Sequence, residues 1–210
     1  QRTMNTLLHV LEAYAEFYRA VPDERIRQAG VRCLERFLKV MYNQPERRLE
    51  VFYDKNYRSL LNMQSYGHDI EASWLMWDAV EALIPEGDRV PYRAMCIDLA
   101  QAICERAFTD HGMENEIVEG EVEHTRVWWV QAETILGFNE AYKLTGEAVW
   151  MDRVAQQWDY VKNVISDPRP GSEWFWSTDE NGIPTDKPIV EEWKCPYHNG
   201  RMCLRMIEKE

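Results

Sequence analysis

The chain has 210 residues, enough to bury a substantial core as one large domain or two small ones. Its 24 basic and 36 acidic residues give a formal charge of −12, which argues against nucleic-acid binding and against a polybasic membrane-surface protein, since both need a basic face. With 45% hydrophobic, 29% charged and 12% aromatic residues, including nine Trp, the chain is globular, not disordered, and unusually rich in a side chain that fills cores or stacks on flat ligands.

Apolar residues recur every three or four positions at Leu7, Val10, Leu11, Tyr14, Phe17 and Tyr18, which predicts a helix over 3–20. Pro22 opens a second helix that runs to about Tyr42, because proline suits a first helical turn. The polar stretch that follows contains a short predicted strand, LEVFY, and a turn, DKN. A third helix begins near His68, after Gly67, and stops at Pro85 and Gly87, and a fourth runs from about Pro91 to Phe108. Strand-like residues 109–126 lead to a fifth helix, VWWVQAETILGFNEAYKLTG, which Gly146 can cap. The sixth covers 147–166. Residues 167–194 read as two short strands around a turn, and a seventh helix begins near Pro196. No Pro/Ser-rich linker interrupts this order, so a single all-α domain of helical hairpins is expected.

No apolar run approaches the length of a bilayer span, and no charged-then-apolar signal segment opens the chain. Five cysteines, at 33, 96, 104, 195 and 203, include no CxxC pair. Cys33, Cys96, Cys104 and Cys203 fall in helical apolar patterns and are expected to be reduced, buried thiols of a cytoplasmic protein. No GxGxxG, P-loop or HExxH motif is present, so neither a nucleotide cofactor nor a zinc site is indicated.

The helices have a beat. His9, His68 and Trp128 follow one another at intervals of about sixty residues, and His198 about seventy further on, so the odd helices carry the unusual side chains. A period of two helices suits a toroid whose odd helices form the inner layer around a cleft and whose even helices cover it. Histidine, with an ordinary pKa of about 6.5, suits proton transfer at neutral pH. His111 and His124 lie in an irregular stretch and are expected to be ordinary surface residues. His68 and Glu71 are three apart and share a helix face, so the carboxylate is expected to orient the imidazole. The same spacing occurs in di-iron bundles, but there the order is Glu-x-x-His, and no metal is expected. Trp128 and Trp129 point about 100° apart on their helix, one to pack and one to line the cleft, with Glu133 about a turn away. WKCPYHNGRMC gathers Trp193, Tyr197, His198, Asn199 and Arg201 at one loop-to-helix junction. A Cys195–His198 nucleophile lacks an evident orienting acid.

Four blocks, MNTLLHVLEAY, SYGHDIEASWLMWDA, WWVQAETILGFNEAYKLTG and WKCPYHNGRMCL, resemble successive blocks of the cellobiose 2-epimerase family, a branch of the N-acylglucosamine 2-epimerase superfamily. The family's NTHLH is NTLLH here, and His9 aligns with its second histidine. The resemblance implies an (α/α)6 barrel, of which residues 1–210 would supply about the C-terminal seven of twelve helices, the N-terminal half being absent. It implies cofactor-independent epimerisation at C2 of the reducing-end glucose of a β-1,4-linked disaccharide such as cellobiose, through a cis-enediol. His68 and His198 would be the acid/base pair on opposite faces of C2, Glu71 would assist His68, and His9 would aid ring opening. Asn5, Trp128, Glu133, Trp193 and Arg201 would line the sugar cleft. Such a half would be inactive or weakly active alone and would associate with a second copy or a complementary N-terminal half. Two rivals remain at this point. An inverting glycosidase could use Glu71 and Glu133 if they stand about 6.5–9.5 Å apart. A carbohydrate-binding module would use the Trp residues without moving a proton.

Overall fold

The computed structural model describes residues 2–208. Seven α-helices follow the predicted order: α1 Met4–Ala20, α2 Glu24–Arg36, α3 Tyr66–Leu83, α4 Val90–Arg106, α5 Trp128–Thr145, α6 Val149–Tyr160 and α7 Tyr197–Ile207. Local chemistry sets several of their ends. The Thr3 hydroxyl accepts from the Thr6 amide at 3.2 Å to start α1, and Asp23 accepts from the Arg25 amide at 2.8 Å to start α2. Gly146, at φ 74°, turns the chain out of α5 in the left-handed region that a glycine adopts without penalty. The helices α2 and α6 each finish in a π-helical turn, Phe37–Met41 and Val161–Ile165, whose first and last residues are buried.

Packing divides the helices into two layers. In the inner row α3 lies between α1 and α5, and α7 lies against α5; α2 leans on α1 and α3, α4 on α3 and α5, and α6 on α5. Both α3 and α5 are buried on nearly every face, polar residues included, as expected of helices walled by neighbours on several sides. By contrast α2 and α6 carry one apolar stripe each. The alternation of inner and outer helices read from the sequence is the architecture of the molecule, a helical-hairpin toroid of the (α/α)6 type.

Close approach of α3 and α5 depends on two glycines. A Cβ on Gly67 would fall 2.5 Å from the Trp129 ring, and one on Gly137 would fall 2.5 Å from Ile70 Cγ1. The result is that the first turn of α5 lies directly over the first turn of α3. Short strands steer the chain into these turns. Met63–Ser65 joins Glu116–Val118 and Glu121–Glu123 in a three-stranded antiparallel sheet just before α3, and Arg126–Val127 pairs with Ser177–Thr178 just before α5.

Three expectations need correction. The LEVFY strand is split: Arg48–Leu49 pairs with Tyr42–Asn43, and Phe52–Tyr53 pairs with Arg2–Thr3, because Val51 turns its carbonyl to the Met4 amide at 2.9 Å. Residues 167–194 hold one strand plus single bridges, not a hairpin of two strands. Cys203 is exposed, since α7 packs by one narrow stripe. No helix among the described residues is long and apolar enough to cross a membrane.

Gly137→Ala is expected to destabilise the chain. Overpacking against Ile70 costs about 1–3 kcal/mol, and the gain in helix propensity returns about 1 kcal/mol at most. Chemical denaturation of the two proteins checks this, and an unchanged midpoint would refute the tight α3–α5 contact.

Candidate active site

All four inner helices point their N-terminal ends at one cleft of about 270 Å³, lined by Asn5, His9, His68, Glu71, Trp128, Trp129, Trp176, Trp193 and His198. Asn5, His68, Trp128, Trp129 and His198 occupy first turns, while His9, Glu12, Glu71, Glu133 and Arg201 lie a turn or so deeper. A larger cavity, about 680 Å³, lies toward the other ends of α3 and α5, but its lining contains no histidine.

His68 is held at both ring nitrogens. Nδ1 lies 2.7 Å from Ser65 Oγ and Nε2 lies 2.7 Å from Asn5 Nδ2. The Asn5 Nδ2 group that faces the ring can only donate, so Nε2 carries the lone pair and Nδ1–H donates to Ser65. Burial, together with the neighbouring charges of His9 and His198, pulls the His68 pKa down to about 4, so the ring is a neutral base at neutral pH. His198 is fixed from the other side: Nδ1 donates to Glu133 Oε1 at 2.7 Å, which leaves Nε2 for a substrate. Trp129 lies against both rings, 4.8 Å from His68 and 5.3 Å from His198 between centroids.

Beneath the histidines, Arg201 gathers three carboxylates. Its Nη2 lies 3.0 Å from Glu71 Oε1 and 2.8 Å from Glu133 Oε1, and its Nη1 lies 2.7 Å from Glu12 Oε1. The guanidinium rests on the Trp74 and Tyr197 rings, and Trp74 Nε1 donates to Glu133 Oε2 at 2.8 Å. Two buried carboxylates on one cation are driven apart in acidity. Burial and the adjacent Glu133 push Glu71 up, whereas Glu133, although buried, is held low by the His198 hydrogen bond and Arg201. Glu71 Oε2 is buried with no partner, so a protonated Glu71 presents an unused donor there.

The geometry brings every sequence-predicted residue to one site but changes one pairing. Glu71 does not orient His68, as the spacing predicts; Ser65 and Asn5 do, and Glu71 turns to Arg201 and to His198 Nδ1 at 3.7 Å. The carboxylate that does pair with a histidine at this spacing is Glu12, whose Oε2 lies 3.0 Å from His9 Nδ1. Trp128 is buried against Trp176, at 4.9 Å between centroids, and Trp129 is the one that lies over the histidines. Trp193, at 77% exposed, overhangs the mouth on a loop anchored by the buried Lys194, whose Nζ donates to Glu173 at 2.6 Å and to the Ile189 carbonyl at 2.7 Å. His124 is exposed and pairs with Glu114 at 2.7 Å, away from the cleft residues. Sequence reasoning missed Ser65, Glu12 and Trp176. The His-x-x-Glu spacing that singled out Glu71 would also have found Glu12, beside His9.

Glu71, Glu133 and His198 offer ligand atoms within 4.8 Å of one another, a spacing that suits a metal ion. The Arg201 Nη2 already lies between the two carboxylates and supplies the balancing charge. The same 4.8 Å limit is shorter than the separation an inverting glycosidase requires, about 6.5–9.5 Å, and neither carboxylate faces the other across the cleft.

Residues 1–199 match the family model described as N-acylglucosamine 2-epimerase (GlcNAc 2-epimerase). The chain belongs to this family. It is 39% identical over 209 residues to cellobiose 2-epimerase from Dictyoglomus turgidum, covering 100% of this chain and 54% of that protein. It is 40% identical over 224 residues to cellobiose 2-epimerase from Eubacterium cellulosolvens, covering 99% of this chain and 55% of that one. The solved cellobiose 2-epimerase from Bacillus thermoamylovorans superposes with a TM-score of 0.94 at 41% identity, over 98% of this chain and 53% of that structure. A D-mannose isomerase, at 18% identity and a TM-score of 0.86, shares the fold. The chain spans about half the length of the curated relatives it matches.

His68 gives this site a pH signature in stability. Its folded pKa, about 4, lies below its unfolded value of 6.5, so the unfolded chain binds more protons between these limits. The contribution is complete above pH 6.5 and is lost as pH falls through 4, amounting to about 3 kcal/mol. Urea unfolding at pH 7 and pH 4.5 is expected to show a steeper acid loss for the natural chain than for His68→Asn; parallel losses would contradict a buried neutral ring.

Proposed function

We propose that this chain carries the acid/base wall of a sugar 2-epimerase acting on the reducing end of a β-1,4-linked disaccharide such as cellobiose. The observation that carries the reading is the placement of two differently held imidazoles, His68 and His198, in one cleft and both against the Trp129 ring. Inversion at C2 needs proton access to both faces of the carbon, and one base cannot reach both.

One imidazole removes the C2 proton of the ring-opened aldose. The C–H electron pair forms the C1–C2 double bond while the carbonyl oxygen takes up a proton, giving a cis-enediol. The intermediate rotates, and the other imidazole returns a proton to the opposite face as the enediol reverts to the aldehyde. The proton on the carbonyl oxygen comes from solvent and returns to solvent as the enediol reverts, and no electrons leave the sugar, so no redox partner is required. His68 enters as a neutral base because burial and neighbouring charge hold it so. Glu133 holds His198 at Nδ1 and so keeps it in one tautomer, with Nε2 free for the sugar. Trp176 and Trp193 offer faces on which the sugar rings stack, with Trp128 packed behind Trp176.

The inner row ends at α1 and α7, whose outer faces expose Val10 and Phe17 on one and Leu204 and Ile207 on the other. Further helices packing on these edges, from a complementary half or a second copy, would complete the cleft and raise the activity.

Proton NMR of cellobiose in D2O tests the reading, using this chain alone and mixed with the N-terminal half of the Dictyoglomus turgidum relative. Deuterium is expected at C2 together with a mannose-type reducing end. His68→Asn and His198→Asn should each slow exchange about 10²–10⁴-fold. Binding of cellobiose without exchange under either condition would instead favour a carbohydrate-binding module.

A further inference from the structure

We infer that Glu12 is a positioning residue for the proposed reaction, holding His9 as the proton donor for sugar ring opening and coupling it to the Arg201 cluster. The inference rests on the epimerase reading for its purpose, but the coupling itself is a property of this chain.

Glu12 lies three residues after His9 on α1, and both its oxygens are used. Oε2 faces His9 Nδ1 at 3.0 Å and the Tyr197 hydroxyl at 2.8 Å. Oε1 faces Arg201 Nη1 at 2.7 Å and the same hydroxyl at 3.0 Å. The opposite nitrogen of Arg201 bonds Glu133, which in turn holds His198. A continuous chain of charged hydrogen bonds therefore runs from His9 through Glu12, Arg201 and Glu133 to His198, crossing from α1 to α7 and on to α5. Tyr197 and Arg201 also touch each other, so α7 presents two donors to one carboxylate.

The geometry dictates the chemistry. With Nδ1–H donated to Glu12, His9 keeps Nε2 for the cleft it lines, beside His68 and Asn5. A carboxylate against Nδ1 favours the doubly protonated ring, which can then give the Nε2 proton to the sugar ring oxygen as the C1–O5 bond breaks and the aldehyde forms. The proton lost from the anomeric hydroxyl leaves to solvent or to a neighbouring base, and the ring is reprotonated on closure. The charged groups around this pair act in both directions: Glu12 and Glu71 favour protonated His9, while Arg201 opposes it, and the His9 charge in turn opposes protonation of His68. The Glu12 carboxylate is half-buried, which raises its pKa, yet hydrogen bonds from His9 and Tyr197 and the charge of Arg201 hold it at about 2, so it stays anionic throughout the working range.

Imidazole NMR titration of the 210-residue chain tests the coupling, with the His9 signals assigned by their loss in His9→Asn. Glu12→Gln should lower the His9 midpoint by about 1 unit, while His124, paired with Glu114, keeps its own. Glu12→Asp retains the charge with a shorter reach and should give a smaller fall; it serves as the second variant if Glu12→Gln unfolds, which thermal melts will show. An unmoved or raised midpoint in a folded variant would overturn the coupling. In the D2O exchange assay, Glu12→Gln should move the alkaline limb of kcat to lower pH, about tenfold in rate per unit along that limb, with KM nearly unchanged. A pH profile like the natural one, or a loss confined to KM, would overturn the role in ring opening. Absence of exchange in the natural protein with its complementary half would defeat the epimerase reading instead, and the titration would still decide whether Glu12 sets His9.

Discussion

The buried guanidinium of Arg201 is the constraint on which the rest of this site depends. Glu71 and Glu133 are fully buried on α3 and α5, and two carboxylates brought this close repel one another and lose their water. Arg201 supplies a planar fork that answers both with one nitrogen and Glu12 with another. A single cation cannot balance three carboxylates. The remaining charge is absorbed by keeping Glu71 protonated more readily than an ordinary carboxylate and by the His9 imidazole, whose pKa the hydrogen bond to Glu12 raises. The acid/base character of the cleft is thus a consequence of how its foundation is neutralised.

The same interaction fixes α7. That helix buries one apolar side chain, Met202, which is little to hold eleven residues against a barrel. Arg201 reaches α1, α3 and α5 at once, and Tyr197 adds a second bond to α1. His198 stands between these two anchors in the same first turns, so its ring is aimed by polar contacts. Replacing Arg201 would therefore disturb stability and geometry together, because Glu12, Glu71 and Glu133 would lose the one guanidinium they share.

Two glycines complete the arrangement from the apolar side. Gly67 lets the Trp129 ring lie on the first turn of α3, and Gly137 lets α5 settle against Ile70. Trp129 is then a rigid face in contact with two bases, one held neutral, the other tethered to a carboxylate. An arrangement that treats the two histidines differently suits a reaction in which one must take a proton while the other gives one.

The sequence by itself determined the seven helices, their division into inner and outer layers, and which histidines share the cleft. Those features are local: the 3.6-residue apolar period, prolines and glycines at helix ends, and a two-helix beat that returns a histidine to the N-terminal part of α1, α3 and α7. Family blocks added the expected roles. Only the tertiary structure decided the pairings. His68 and Glu71 share a helix face, yet Ser65 and Asn5 take the imidazole because the preceding strand and α1 bring them closer, while Arg201, 130 residues away in sequence, takes the carboxylate. Which of two adjacent tryptophans faces the site was likewise settled by Gly67, through the space it leaves on a neighbouring helix. Spacing along a helix says which side chains can meet; where a charge is buried, the partner is whichever group from any element best offsets its lost hydration, and that depends on how the helices close on one another.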